Sequence, residues 1–385
     1  MALDFPATPS NGQQFTSGGT IWTWDGAKWV AGATTSAFAP VNSPVFTGDP
    51  QAPQPAAGDA DASIATTAFV TNAVATSLHD VGRNYVHNSM FNVQQRGSGS
   101  WSASGNYTAD RWVQFFGGGS MATSVNPSGD GARAQTGDES MAYQLYTTFT
   151  GTAGASDLAL MQQNIEGVRR LAGKTVTLSF WAASGTGSKV GVNLEQNFGT
   201  GGSPSSIVAQ AGVAFTLTGG FVRYSATFTM PSVAGKTLGT NNNDCTQLSF
   251  WYSSGSTYAA RAGNIGAQTG NISIWGVQLE LGTVATPLEK LDPVTQLQQC
   301  QRFYCVLRQL SMIASGAATQ ALGQTCALPV PMHHVPGLAF ANTTYGNMSG
   351  ITATNVQPTS VLIFATLVGS AGGQWTTDLL ASADL

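Results

Sequence analysis

Two tryptophans stand in matching contexts, TVTLSFWAAS at Thr175–Ser184 and TQLSFWYSSG at Thr246–Gly255. Strand side chains alternate between faces. Leu178 and Phe180 then point one way and Trp181 the other, and the same holds for Leu248 and Phe250 against Trp251. The face away from the aliphatic residues gathers Thr177, Ser179 and Trp181, Asn193, Glu195 and Asn197, Arg223, and Ser249 and Trp251. A pyranose presents apolar C–H faces ringed by hydroxyls. Flat indoles with an N–H donor, amides and a carboxylate complement such a ring. Trp181, Trp251, Asn193, Glu195, Asn197 and Arg223 are therefore the candidate glycan-binding residues. The competing reading puts each Trp at a strand end, covered by loops or by a neighbouring subunit.

Reactive chemistry is harder to find. Gly167 and the GKT of Gly173–Thr175 are separated by five residues, where a phosphate-cradling loop has four, and the Lys-Thr leads into a strand. GTGSKVG at Gly185–Gly191 continues as strand alternation, so it reads as a turn. No G-x-S-x-G elbow occurs, and the four histidines sit in unlike contexts. Glycoside cleavage needs two carboxylates flanking one bond. Asp138, Glu139, Asp157, Glu166, Glu195 and Asp244 are available, but spacing pairs no two of them. Cys245, Cys300, Cys305 and Cys326 show no CxxC spacing and read as reduced, mostly buried thiols. A zinc site at His333 and His334 is disfavoured, because adjacent histidines point apart in a strand. No catalytic residue, metal ligand or cofactor is assigned.

These residues need a scaffold, and the composition says what kind. Of 385 residues, 46 are Gly and 9% are charged, against about 7% Gly and 25% charged in ordinary soluble domains. Ser, Thr, Asn, Gln and backbone must form the surface. Hydrophobic content of 42% supplies a core. A net charge of −4 with a pI near 5.5 disfavours a nucleic-acid partner. MALDFPATPS lacks the features of a signal peptide, and the best apolar run, Val361–Val368, is strand-sized rather than membrane-spanning. A chain made in the cytoplasm with no membrane insertion is expected.

Four segments follow from the patterns. In 1–39, GTIWTWDGAKWVAG puts Trp22 and Trp24 on one strand face, with a hairpin turn at Asp25-Gly26 and Trp29 on the returning strand. One hairpin is unstable alone and needs a partner. Segment 40–80 begins as a Pro/Ala/Gly linker. It continues into a helix capped by Asp61 or Ser63, with Ile64, Ala68, Thr71, Ala75 and Leu78 at alternating spacings of four and three. So short a helix is marginal in water, and self-association would stabilise it. Segment 81–290 carries many candidate strands without helical crossovers, which predicts an antiparallel jelly roll or sandwich. LALMQQNIEGVRRLAG is its one helix candidate, and Gly276 in NISIWGVQLEL suggests a bulge. Segment 291–385 opens with Asp292 as N-cap and Pro293 at the first helical position, then reads as a smaller β domain.

Several stretches resemble bacteriophage and prophage tail-fibre proteins. NSPVFTGDPQAPQPAAGDADASIATTAFVTNAV at Asn42–Val74 resembles the SPxFTGxPxAPTPxxGDxxxxIATTAFV segment of such fibres. YVHNSMFNVQQRGSGSW, followed by YTADRWV, resembles the beginning of their carbohydrate-binding-module-like jelly roll. LAGKTVTLSFWA, GKTLG and WGVQLELGTVATPLE match later parts of that domain, and CQRFYCVLR and LPVPMHHVP resemble its connection to a C-terminal tip. Together these cover most of residues 42–336. The resemblance implies a virion component, usually a homotrimer. Its N-terminus would attach to a tail or baseplate protein, and its β domains would bind bacterial surface polysaccharide without needing to cleave it. LSFW-like strands would then belong partly to a recurring scaffold. Some such jelly rolls hold a structural calcium, but NSMF at Asn88–Phe91 lacks the acid of the family's motif. The rival readings are a glycosidase-type depolymerase tailspike and a structural tail spacer carrying another adhesin.

Overall fold

A computed structural model describes residues 4–17, 19–32, 52–53, 55, 64–70, 82–370 and 372–385. The chain is mainly β with antiparallel pairing throughout, and it divides into two units, Met1–Ser77 and Leu78–Leu385.

In the first unit, β1 (Gln14–Ser17), β2 (Thr20–Trp24) and β3 (Trp29–Gly32) form a three-stranded meander. The expected hairpin is β2–β3, with Trp24 opposite Trp29. β1 is an addition, and it brings Phe15 opposite Trp22. Asp25 builds the turn, its Oδ1 accepting the backbone N–H groups of Ala27 and Lys28 at 2.9 and 2.8 Å. Phe5 then stacks on Trp29 at 5.2 Å and meets Trp22 edge-on at 5.3 Å. No described residue of this unit is fully buried, so ring contacts rather than an enclosed core hold the sheet. Residues 67–70 are helical. Thr66 starts the turn, its Oγ1 accepting from the Phe69 N–H at 3.1 Å. The helix therefore begins after Ile64, which is exposed, as is Ala68. Thr71, Ala75 and Leu78, with the expected caps Asp61 and Ser63, lie outside the described residues.

The second unit begins with a jelly-roll sandwich. Its strands are β4 (Ser100–Trp101), β5 (Trp112–Gly117), β6 (Ser120–Pro127), β7 (Tyr143–Thr150), β8 (Leu158–Glu166), β9 (Thr175–Ala183) and β10 (Lys189–Asn197). β11 (Val208–Ala209), β12 (Val213–Thr216), β13 (Val222–Thr229), β14 (Cys245–Ser254) and β15 (Thr269–Leu281) complete it. Sheet I runs β11-β10-β14-β8-β5, with β12 also on β10, and sheet II runs β13-β9-β15-β7-β6-β4. The aliphatic face read from each LSFW strand does point inward. Leu178, Phe180, Leu248 and Phe250 are all fully buried, and Phe180 meets Phe250 edge-on at 5.0 Å.

LALMQQNIEGVRRLAG is not an α-helix, and only Val168–Arg170 make a single 3-10 turn. Its first part is β8, a central strand of sheet I hydrogen-bonded to β14 on one side and β5 on the other. Ala159, Met161 and Ile165 reach the core at a period of two. Two long-range ladders override the local helical preference, as tertiary context commonly does. A short helix, α1 (Asp130–Thr136), lies where none was expected and buries no side chain. The bulge in β15 falls between Trp275 and Gln278. Gly276 there has φ +60°, and a Cβ would come within 2.8 Å of the Trp181 ring.

The remaining part starts at α2 (Pro293–Gln301), whose N-cap Asp292 accepts from the Val294 and Thr295 N–H groups at 3.0 Å each. β16 (Tyr304–Ala314), β17 (Ala321–Ala327), β18 (Gly337–Gly346), β19 (Met348–Thr354), β20 (Ser360–Leu367) and β21 (Gly373–Ser382) follow. They form two three-stranded sheets, β16-β21-β18 and β17-β20-β19, around a separate core that includes Val361, Ile363, Trp375 and Leu379. This tip sits against the jelly roll through cations and aromatic rings. The Arg111 guanidinium lies 3.4 Å from the Phe303 ring centroid, and Arg96 lies 3.6 Å from that of Tyr304. Arg302 binds Glu166 through two hydrogen bonds of 2.9 and 2.6 Å. His333 and His334 occupy a bend rather than a strand, and their Nδ1 atoms approach to 3.1 Å instead of pointing apart. All four cysteines are free and buried.

Candidate functional site

The two matching tryptophans lie on opposite sides of the sandwich, Trp251 on the outer face of sheet I and Trp181 on that of sheet II. Trp251 is 1% exposed, and its indole N–H donates to Asn193 Oδ1 at 2.8 Å. Asn193 Nδ2 donates to Glu195 Oε1 at 2.8 Å, and Arg261 grips both oxygens of Glu195, with Nε at 2.6 Å from Oε1. Arg261 comes from the loop between β14 and β15, which folds over this end of the sheet. Gly191 allows the fit, since a Cβ there would lie 2.1 Å from the Ala262 carbonyl oxygen. Tyr258 of the same loop lies 5.5 Å from the Trp251 ring, and Arg261 is 5.6 Å from each of the two rings. Trp251, Asn193 and Glu195 are thus covered, with their polar groups in use. They present no surface to a sugar.

Trp181 is half-buried against Trp275 at 5.3 Å, with Arg223 placed 4.8 Å from its centroid. Arg223 Nη2 donates to Ser179 Oγ at 2.9 Å and also to the Thr286 carbonyl. The segment carrying Thr286 is tied down by Glu280, which accepts from the Thr286 N–H at 2.9 Å and from its hydroxyl at 2.6 Å. Burial lowers the Arg223 pKa against the opposing pull of Glu280. Asn197 closes a turn, accepting from the Gly199 N–H at 3.0 Å. The six candidates therefore form no single surface. Three lie under the sheet I loop, two hold the sheet II loop, and one sits in a turn.

What sheet I leaves open is a row of amides beside that loop. Ser249 faces Gln162 across the β14–β8 ladder and Asn193 across the β14–β10 ladder; Gln247 likewise faces Asn164 and Glu195. Gln162 and Gln247 are partly exposed, and their Nε2 atoms donate to the shared Asn164 Oδ1 at 2.7 and 3.2 Å. This holds both side chains in place while leaving each terminal amide further donor and acceptor capacity. Asn164 Nδ2 in turn donates to the Leu385 carbonyl at 2.6 Å, so the tip fixes the other end of the row. Half-buried Phe115 borders it on β5. The sequence hides this site because MQQNIE has a helical preference. The usable signal was the period of two, with Gln162 and Asn164 alternating against Met161 and Ile165.

Both carboxylates on this face are paired. Glu195 is held by Arg261. Glu166 at the far end is held by Arg302, with His333 Nε2 3.5 Å away. Burial raises the Glu166 pKa, but the Arg302 hydrogen bonds and charge outweigh it and leave the carboxyl below its ordinary range. Among the described residues no group of three or more His, Cys, Asp and Glu side chains could hold a metal ion.

No protein-family model matches the sequence, and no curated protein is significantly similar to it. Solved structures do align with about half of it. The enzymatically active domain of bacteriophage CBA120 tailspike protein 4 is 14% identical with a TM-score of 0.29, covering 52% of this chain and 22% of that one. A CBM4 structure is 15% identical at a TM-score of 0.30, covering 51% of this chain and 99% of that one. The family 11 carbohydrate-binding module from Clostridium thermocellum, in complex with a beta-1,3-1,4-mixed-linked tetrasaccharide, is 12% identical at 0.29, covering 50% and 99%. The likeness is partial. At these TM-scores it carries no argument about function.

Proposed function

We propose that this chain is a non-catalytic receptor-binding protein of a bacteriophage tail fibre, holding bacterial surface glycan on the outer face of sheet I. The observation that carries the glycan reading is the row Gln162–Asn164–Gln247, in which two partly exposed amides are oriented by a shared partner. Fixed amides suit hydroxyl-rich ligands, because they donate and accept at once. A non-catalytic role is supported by the state of the acids. Glu166 and Glu195 are each clamped by an arginine, which leaves neither free as a general acid or nucleophile. The tail-fibre setting rests on the sequence resemblance, above all at Asn42–Val74. With it come a homotrimer, a virion location and attachment to a tail or baseplate protein through the ring-rich N-terminal meander. Three copies of a weak site raise avidity by roughly 10²–10⁴ without new contacts.

The test is host-cell binding by the Gln162→Ala/Gln247→Ala double variant. Each lost hydrogen bond is worth about 0.5–1.5 kcal/mol, so binding should weaken roughly tenfold per site, with the fold retained by circular dichroism and the melting temperature lowered modestly by the orphaned Asn164 acceptor. Undiminished binding removes the face from consideration. Release of reducing ends from host polysaccharide would install the depolymerase reading instead. A native mass of three chains is expected, and a stable monomer contradicts the fibre setting.

A further inference from the structure

The junction of the jelly roll and the tip holds a cavity of about 520 Å³, lined by residues 92–95 after the jelly roll's first turn, by Ala142 and Tyr143 at the start of β7, and by Pro293, Gln296 and Leu297 of α2. That volume lies within the ~300–1,000 Å³ of small-molecule sites. Its wall is apolar on the Tyr143 and Leu297 side, where Leu297 is 37% exposed and the Tyr143 ring rests on the jelly-roll core. Amides supply the rest, from Asn92, Gln94 and Gln296. Gln296 is 5% exposed, and its Nε2 is spent on the Leu291 carbonyl at 2.7 Å. Its Oε1 is buried without a partner. A buried acceptor in that state costs about 1–3 kcal/mol, and with no accessible surface it lies behind the cavity wall rather than on it. Apart from the Tyr143 phenol, no ionisable side chain lines the cavity.

We infer that this cavity is a second carbohydrate site, taking an uncharged sugar whose ring lies along Tyr143 and Leu297 and whose hydroxyls meet Asn92 and Gln94. An acidic sugar finds no cation in the lining, and desolvating its carboxylate there would go uncompensated. The site is separate from the sheet I face, and it would let one chain hold a glycan at two places.

Saturation-transfer NMR on the full chain tests this, with glucose, galactose and N-acetylglucosamine as neutral probes and glucuronate as the charged one. Leu297→Trp fills the cavity from an exposed position, and Asn92→Ala removes one exposed amide. Transfer to at least one neutral sugar is expected to persist in Gln162→Ala/Gln247→Ala, which removes the sheet I contribution, and in that background to be abolished by Leu297→Trp and reduced severalfold by Asn92→Ala. Circular dichroism of each variant confirms folding, and Asn92→Ala decides the matter if Leu297→Trp does not fold. Equal transfer with and without Asn92→Ala in the Gln162→Ala/Gln247→Ala background, transfer to glucuronate alone, or no transfer to any sugar overturns the proposal. Loss of transfer only in the sheet I double variant also overturns it, while leaving the glycan reading of that face intact.

Discussion

Trp251, Asn193, Glu195 and Arg261 form one chain of donors and acceptors, running from an indole N–H to a guanidinium through a carboxylate 1% exposed. Such a chain is valuable when complete and costly when cut, because the low local dielectric strengthens every bond and every omission. Trp251→Ala should therefore destabilise the protein by about 3–5 kcal/mol, through cavity formation and an orphaned Asn193. Urea unfolding measures it. A variant that keeps its stability yet loses host-cell binding would return Trp251 to the ligand face. Gln162 and Gln247 differ from it in one respect: their hydrogen bonds fix orientation without consuming the whole amide.

The loop between β14 and β15 and the segment after β15 work as covers, each held by one arginine on its own side of the sandwich. Arg261 holds the first, and its side chain remains 35% exposed while Glu195 is 1% exposed. Arg261→Met would strand that carboxylate. The loss should fall somewhat below the ~3–5 kcal/mol of a fully buried pair, because water already reaches the arginine. Amide exchange across residues 258–266 should quicken, and Arg261→Met/Glu195→Gln should recover part of the stability. No change in exchange would show that the apolar contacts of Tyr258, Ala262 and Ile265 suffice. On sheet II the cover depends on the bulge at Gly276, where a positive φ and the Trp181 ring both exclude a side chain.

Across the whole second unit, titratable groups are concentrated where jelly roll and tip meet. His87 is pushed down to about 3, by burial first and then by the Arg111 charge, with Arg170 and Arg302 adding less and Glu166 opposing them. A base depressed from its ordinary 6.5 contributes stability that is fully present above pH 6.5 and lost as pH falls toward 3. Asp110 runs the other way. Burial lifts it to about 6 against the pull of Arg96 and the Gln95 hydrogen bonds, so its burden eases as pH falls through 6. The melting temperature should fall between pH 6.5 and 4.5, and His87→Leu should flatten that decline. Parallel pH profiles for wild type and variant would show that His87 is not the responsible group.

The sequence by itself determined what is local. Alternation placed Leu178, Phe180, Leu248 and Phe250 in the core, Asp292 and Pro293 began a helix, Gly276 marked a bulge, and the scarcity of ions required an amide and hydroxyl surface. Each of these depends on backbone geometry within a few residues. Tertiary structure alone decided which sheet each strand joined and what covered its outer side. Trp181 and Trp251 share a motif yet lie on opposite sheets. Glu195 meets an arginine 66 residues away, and Asn164 meets a carbonyl 221 residues away. No period of two or of 3.6 encodes such distances. β8 shows the same limit, since a run with helical preference became a central strand once β5 and β14 supplied partners for its backbone on both sides.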